Sequence, residues 1–287
     1  MPLAGVTYFN ERLELGDGVA DLSSLSDLEC VQELSIEGDS ITSLGALRNL
    51  KYVGRLTVKD SALTSLRGLD GLRYAGQVFV HQNPDLVDLT GLRGLETTRL
   101  LSVNSNASMT SLGTLSALEY FGGLVVLSSA AMTNLGSMPK LASRQRVITL
   151  LDNPSLQELE PLAALSDLDR LTIQSTSVTS MMGFRGLTRV RSVLDLNEND
   201  KLVDLSALNK VTEIGALRLR RNNALESLKG LEALTRLGDP STTDEGLLRE
   251  GNASLSNLSA LSQVTAVRSD VRIAFMGALR DLKGLEN

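Results

Sequence analysis

Apolar residues recur along this chain in two alternating rhythms. The first is a short beat, L-x-[VIL], in which two apolar positions flank one variable position. It falls at Leu34-Ser-Ile36, Leu56-Thr-Val58, Val78-Phe-Val80, Leu101-Ser-Val103 and Leu124-Val-Val126. It returns at Ile148-Thr-Leu150, Leu171-Thr-Ile173, Leu194-Asp-Leu196 and Leu217-Arg-Leu219. Successive starts lie 22, 22, 23, 23, 24, 23, 23 and 23 residues apart. Leu13-Glu-Leu15 is a candidate earlier unit. The second rhythm has an apolar residue at every third position, as in Leu63, Leu66, Leu69 and Leu72, or Leu225, Leu228, Leu231 and Leu234. Between the two, at the sixth position of each unit, stands a short polar residue: Asp39, Ser61, Asn83, Asn106, Ser129, Asn153, Thr176, Asn199 or Asn222.

Each rhythm predicts an element. The period-two beat is β-rich and reads as a short strand with both apolar residues inward. Period three fits neither a strand nor a 3.6-residue helix. It predicts 3₁₀-like or short helical turns, or extended turns, on the other side of the coil. One unit cannot bury its apolar face alone, so the units must stack into a repeat solenoid with one parallel sheet. The polar residue at position six is expected to form a ladder that hydrogen-bonds turn amides.

The division expected from the pattern is an N-terminal cap and first irregular repeat over 1–33, then regular repeats over 34–238. An inserted loop follows over 239–246, containing Asp239-Pro-Ser-Thr-Thr-Asp-Glu245. The last repeats occupy 247–287, with strands placed at Leu247-Leu-Arg249 and Val271-Arg-Ile273. The whole is read as one continuous domain of about eleven to twelve coils.

Composition agrees with thin leucine layers. The chain has 287 residues, of which 57 are leucine, with only 3% aromatics and no Trp. A single Cys excludes an internal disulfide, and Cys-rich zinc or iron–sulfur sites with it. The net charge of -6 argues against nucleic acid as main partner. No apolar run approaches the ~18 residues of a membrane span, so no membrane insertion is expected. The start, MPLAGVTYFNERLELGDG, lacks a charged-then-apolar leader. That predicts a cytoplasmic location for a complete chain, and a surface or extracellular one for an excised fragment.

Chemistry is sparse. His81 is the one histidine, and it is expected as a surface residue after a strand. No nucleophile elbow, zinc helix motif or phosphate loop occurs. Cys30 lies among Asp27, Glu29 and Glu33, surroundings that do not activate a thiol, and is read as a small buried residue. Asn197-Glu-Asn-Asp200 is oxygen-rich but lacks the glycine and spacing of a calcium loop. No catalytic activity, cofactor or metal is therefore predicted.

The unit L-x-[VI]-x-x-N-x-x-L-x-x-L-x-x-L-x-x-L resembles leucine-rich repeats. The stretch GLRGLETTRLLSVNSNASMTSLGTLSALEYFGGLVVLSS is similar, more narrowly, to receptor L domains, which are short right-handed β-solenoids. The likeness covers roughly residues 34 to 285. Two features depart from it. Eukaryotic L domains carry disulfides at their ends, whereas this chain has Cys30 alone. The tail after the strand has period three rather than the fuller consensus of plant or Toll-type repeats. The resemblance implies protein or glycan binding and no catalysis.

The expected binding surface is the outward strand face. Its apolar positions are Phe79, Leu100, Val125, Leu127, Val147 and Leu151, and contiguous apolar surface marks interfaces. Arg218, Arg220 and Arg221 cluster further on, with Arg249 and Arg272 as candidate additions, and suit carboxylates. The reading is a non-enzymatic scaffold for a protein partner, with the arginines steering an acidic segment. The alternatives are a glycan or cell-surface binding module and a structural spacer within a larger protein. Sugar sites favour exposed aromatics, and Phe79 is the one aromatic at the central strand positions, which counts against a glycan.

Overall fold

Apolar side chains at alternate positions, many of them β-branched, favour extended backbone. Strands form at the predicted beats and extend several residues before them. The computed structural model describes residues 7–142, 146–238, 251–267 and 277–286. The chain divides into two units, Met1–Leu141 and Ala142–Asn287.

In the first unit the strands are β1 (Tyr8–Leu15), β2 (Cys30–Gly38), β3 (Tyr52–Ser61), β4 (Tyr74–His81), β5 (Thr97–Asn104) and β6 (Tyr120–Leu127). Each pairs in parallel with the next in chain order. In the second unit they are β7 (Val147–Asn153), β8 (Asp167–Thr176), β9 (Arg189–Asn197), β10 (Glu213–Arg220), β11 (Arg236–Leu237) and β12 (Ala266–Val267). These too pair in parallel and in order. Leu13-Glu-Leu15 is the C-terminal part of β1. The predicted loop at 239–246 and the strands placed at 247–249 and 271–273 lie outside the described residues, as do Arg249 and Arg272.

Return segments run as 3₁₀ turns, including Gly45–Leu47, Thr90–Leu92, Glu160–Leu162 and Ser206–Leu208. Three residues per turn bring every third side chain to one face. Leu44, Leu47 and Leu50 are accordingly fully buried, and so are Leu89, Leu92 and Leu95. Where the return runs as plain turns, Leu63, Leu66, Leu69 and Leu72, and Leu225, Leu228, Leu231 and Leu234, keep the same spacing and are buried too. Burying one leucine contributes roughly 1.5–3 kcal/mol. The inward strand residues Leu56, Val58, Val78 and Val80 meet them from the other side, with no exposed area.

At or just past the C-terminal end of each strand from β3 to β10 the backbone makes one strained step. Asp60, Gln82, Ser105, Ser128, Asp152, Ser175, Glu198 and Arg221 all have φ between 48° and 57°. A non-glycine residue there costs on the order of 1–2 kcal/mol. Glycine fills the equivalent place at Gly38 and Gly251. Next in each coil comes the ladder residue, and all of these except Asp39 are buried. Asn106 donates from Nδ2 to Val80 O at 2.8 Å, and its Oδ1 accepts the Asn83 backbone N–H at 3.0 Å. In the second unit Asn222 repeats this, with Nδ2 on Leu196 O at 3.0 Å and Oδ1 on Asn199 N at 3.2 Å. The polar ladder anticipated from position six is thus an internal backbone clamp. Each unit is a leucine-rich-repeat-like parallel β-solenoid.

Candidate functional site

Strand register puts the outward side chains into rows. In the first unit one row reads Glu33, Arg55, Gln77, Leu100, Gly123, and the next Ser35, Thr57, Phe79, Ser102, Val125. A third reads Glu37, Lys59, His81, Asn104, Leu127. The face changes character along these rows. Over β1 to β3 it is charged, with a shallow hollow lined by Arg12, Glu33, Arg55 and Lys59. Over β4 to β6 it is apolar at Phe79, Leu100, Val125 and Leu127, all half-buried.

Register brings Leu100, Val125 and Leu127 together on β5 and β6. Leu100 reaches across Gly123, where a Cβ would lie 3.2 Å from Leu100 Cδ1. Phe79 is more enclosed than its position suggests. The Arg55 guanidinium carbon stands 5.6 Å from its ring centroid, in cation–π range. The His81 ring meets it edge-on, with centroids 5.6 Å apart. His81 is half-buried rather than freely exposed, and its Nε2 lies 3.0 Å from Ser102 Oγ. That burial lowers the imidazole pKa from its ordinary value. Cys30 departs from expectation the other way. It is half-buried on the outward side, and desolvation raises its thiol pKa.

The second unit carries Val147 and Leu151 on β7, both half-buried. Arg218 and Arg220 lie on β10 and Arg221 just beyond it. These arginines have partners inside the chain. Asp195 lies 3.8 Å from Arg218 and 3.4 Å from Arg220, and Arg221 meets Glu198 at 2.7 Å. Burial pushes the Asp195 carboxyl above the usual carboxylate range, although Arg220, Arg218 and Arg170 pull the other way. Arg220, Arg218 and Arg170 thus act on Asp195, and Arg221 pairs with Glu198.

One set of outward residues escaped the reading of the strand beats. Tyr8, Cys30, Tyr52, Tyr74, Thr97 and Tyr120 share one row at the strand starts of β1 to β6. These are all four tyrosines of the chain. Tyr8, Tyr52 and Tyr74 are 61%, 52% and 37% exposed, and Tyr120 is half-buried. The signal was present as a Tyr-x-Gly triplet, at Tyr52-Val53-Gly54, Tyr74-Ala75-Gly76 and Tyr120-Phe121-Gly122. The first-unit face therefore carries more aromatic surface than Phe79 alone.

Among the described residues no three His, Cys, Asp or Glu side chains come together as metal ligands, and no helix is long and apolar enough to cross a membrane. No family model matches the chain, and no curated protein matches it. Solved structures do. An internalin (InlF) from Listeria monocytogenes is 17% identical, with 93% of this chain and 87% of that one covered, at a TM-score of 0.40. TLR13 in complex with ssRNA13 is 15% identical, with 94% of this chain covered and a TM-score of 0.31. This chain spans 60% of that one.

Proposed function

We propose that the chain is a non-enzymatic binding scaffold that recognises a protein partner through the outward face of its strands. The observation that carries this reading is the group Leu100, Val125 and Leu127. These are large apolar side chains on neighbouring strands, facing away from the leucine core and only half covered. Apolar surface left outside a core that leucine already fills is a natural interface centre. Phe79 extends the group by one strand. Val147 and Leu151 offer the same chemistry on the second unit. Arg218, Arg220 and Arg221 place guanidinium groups together at the strand face, chemistry that suits an acidic segment on the partner and speeds encounter.

The test is comparative affinity capture, followed by identification of the bound protein. Val125→Asp with Leu127→Asp is expected to remove the partner captured by the unchanged chain, while far-UV circular dichroism stays the same. Arg220→Glu is expected to weaken capture most at low salt. Undiminished capture by the double aspartate variant would sink the assignment of this face.

A further inference from the structure

The tyrosine row lies outside the apolar group, and three observations say what it can hold. First, its shape is a strip. It is one residue wide and crosses six strands, about 24 Å at ~4.8 Å per strand. Protein hot spots are compact and central instead. Second, the strip has bare flanks. Gly54, Gly76 and Gly122 stand two residues after Tyr52, Tyr74 and Tyr120. A Cβ there would come within 2.5 Å of Gln32 O, 2.3 Å of Gly54 O and 2.5 Å of Arg99 O respectively. Close stacking of the coils thus demands glycine, which leaves smooth backbone near the rings. Tyrosine is not there merely to cover it. Gly215 is under the same constraint, with a Cβ 2.1 Å from Arg191 O, and the residue two before it is Glu213.

Third, the strip is close to electrically balanced. The residue before each row position reads Glu29, Lys51, Arg73, Glu96 and Glu119 from β2 to β6. Lys51 pairs with Glu29 at 2.8 Å and Arg73 with Glu96 at 3.3 Å. What complements such a border is an uncharged ligand rich in hydroxyls. The paired side chains supply both donors and acceptors to fix its orientation.

We propose that the tyrosine row is a binding strip for a linear, neutral polysaccharide lying across the strands. The C–H faces of pyranose rings are apolar and flat, and they stack on tyrosine, whose ring is apolar and whose hydroxyl stays wet. In an extended β-linked chain each sugar advances by close to one strand spacing, so successive sugars meet successive coils. Adjacent Tyr52 and Tyr74 form the central platform. Tyr8 and Tyr120 stand two strands away on either side, with the smaller Cys30 and Thr97 between. This strip is separate from the Leu100–Val125–Leu127 group, so either assignment can fail alone.

The chain contains its own probe. With no Trp and all four tyrosines in the row, its intrinsic emission reports on this strip. Titration of the full chain with cellohexaose, xylohexaose and chitohexaose is expected to change tyrosine emission saturably for at least one. Isothermal titration with the paired variant Tyr52→Ala and Tyr74→Ala is expected to show affinity lower by at least about tenfold. Tyr52→Phe with Tyr74→Phe keeps the rings and should stay within about threefold. An unaltered circular dichroism spectrum separates lost binding from lost fold. Failure of all three sugars to bind overturns the proposal. So does unchanged affinity in the alanine pair, or preference for an anionic hexamer of polygalacturonate. Loss of protein capture in the alanine pair without any sugar binding would reassign the strip as a protein interface.

Discussion

The side-chain oxygen of Asn106 accepts the backbone N–H of Asn83 at 3.0 Å, bridging two neighbouring coils. The same oxygen lies 3.1 Å from Asn83 Nδ2, and the Asn106 amide donates to Val80 O. One buried side chain thus satisfies polar groups on the coil before its own. Asn106→Ala would leave the Asn83 N–H and the Val80 carbonyl without these partners. Each such loss costs about 1–3 kcal/mol. The variant should be destabilised by roughly 2–4 kcal/mol in urea unfolding. Asn106→Asp keeps the acceptor, loses the donor and buries an acid, and should also be destabilised.

Gln82 is exposed, and its environment alone predicts tolerance of most substitutions. Its φ of 57° overrides that. A β-branched side chain is poorly accommodated in the left-handed region. Gln82→Val is expected to lower stability by about 1–3 kcal/mol, whereas Gln82→Gly should change it by less than about 1 kcal/mol, because relief of strain offsets the entropy of glycine. Equal effects of the two would show that backbone conformation does not govern this position.

Two buried aspartates in the second unit respond to acid with opposite signs. Burial raises the Asp167 carboxyl, but hydrogen bonds from Arg191 and Arg189 outweigh it and hold the group below the usual range. Arg191 Nη2 and Arg189 Nη2 lie 2.7 and 2.8 Å from Asp167 Oδ2. A lowered folded pKa means stability that is full above the unfolded value of about 3.9 and is lost as pH falls through the folded one. Asp167→Asn should flatten the acid limb of a stability–pH curve. Asp195 is raised by burial, so the folded chain takes up its proton first and gains stability relative to the unfolded chain as pH falls. Asp195→Asn should make the acid loss steeper. Urea midpoints measured from pH 6 downward distinguish the two.

The Arg221–Glu198 pair is exposed at the arginine, so little stability should depend on it. Glu198→Gln is expected to change the unfolding free energy by less than about 0.5 kcal/mol. It would also remove the negative charge that pairs with Arg221 beside β10. If the arginine group guides an acidic partner segment, this variant should associate faster at low salt, as read by stopped-flow or surface-based kinetics once a partner is in hand.

Much of this architecture is written in spacing. Leu56 and Val58 mark a strand because their inward parity repeats, and Leu63, Leu66, Leu69 and Leu72 mark turns because their period is three. Asn83 and Asn106 announced their ladder through residue type at a fixed offset. The tyrosine row was hidden by a break in parity. Inward Val53 and inward Leu56 stand three residues apart, so counting outward from the beat at Leu56 does not lead to Tyr52. The left-handed step was hidden for a different reason. Asp60, Gln82, Ser105, Glu198 and Arg221 share a conformation but no side-chain chemistry, since neighbouring coils impose it. The apolar group at Leu100, Val125 and Leu127 was legible because these residues exceed what the core can absorb. The arginines were legible as a cluster, but their engagement with Asp195 depends on contacts between adjacent strands.

The ladder also has a direction. Asn83 serves Val58 and the Ser61 turn, Asn106 serves Val80 and Asn83, and Asn222 serves Leu196 and Asn199. In these three the later coil completes the earlier one. A chain emerging from the ribosome would therefore hold each finished turn open by a few hydrogen bonds until the following 22 to 24 residues arrive. The order of synthesis thus matches the order in which these clamps can close.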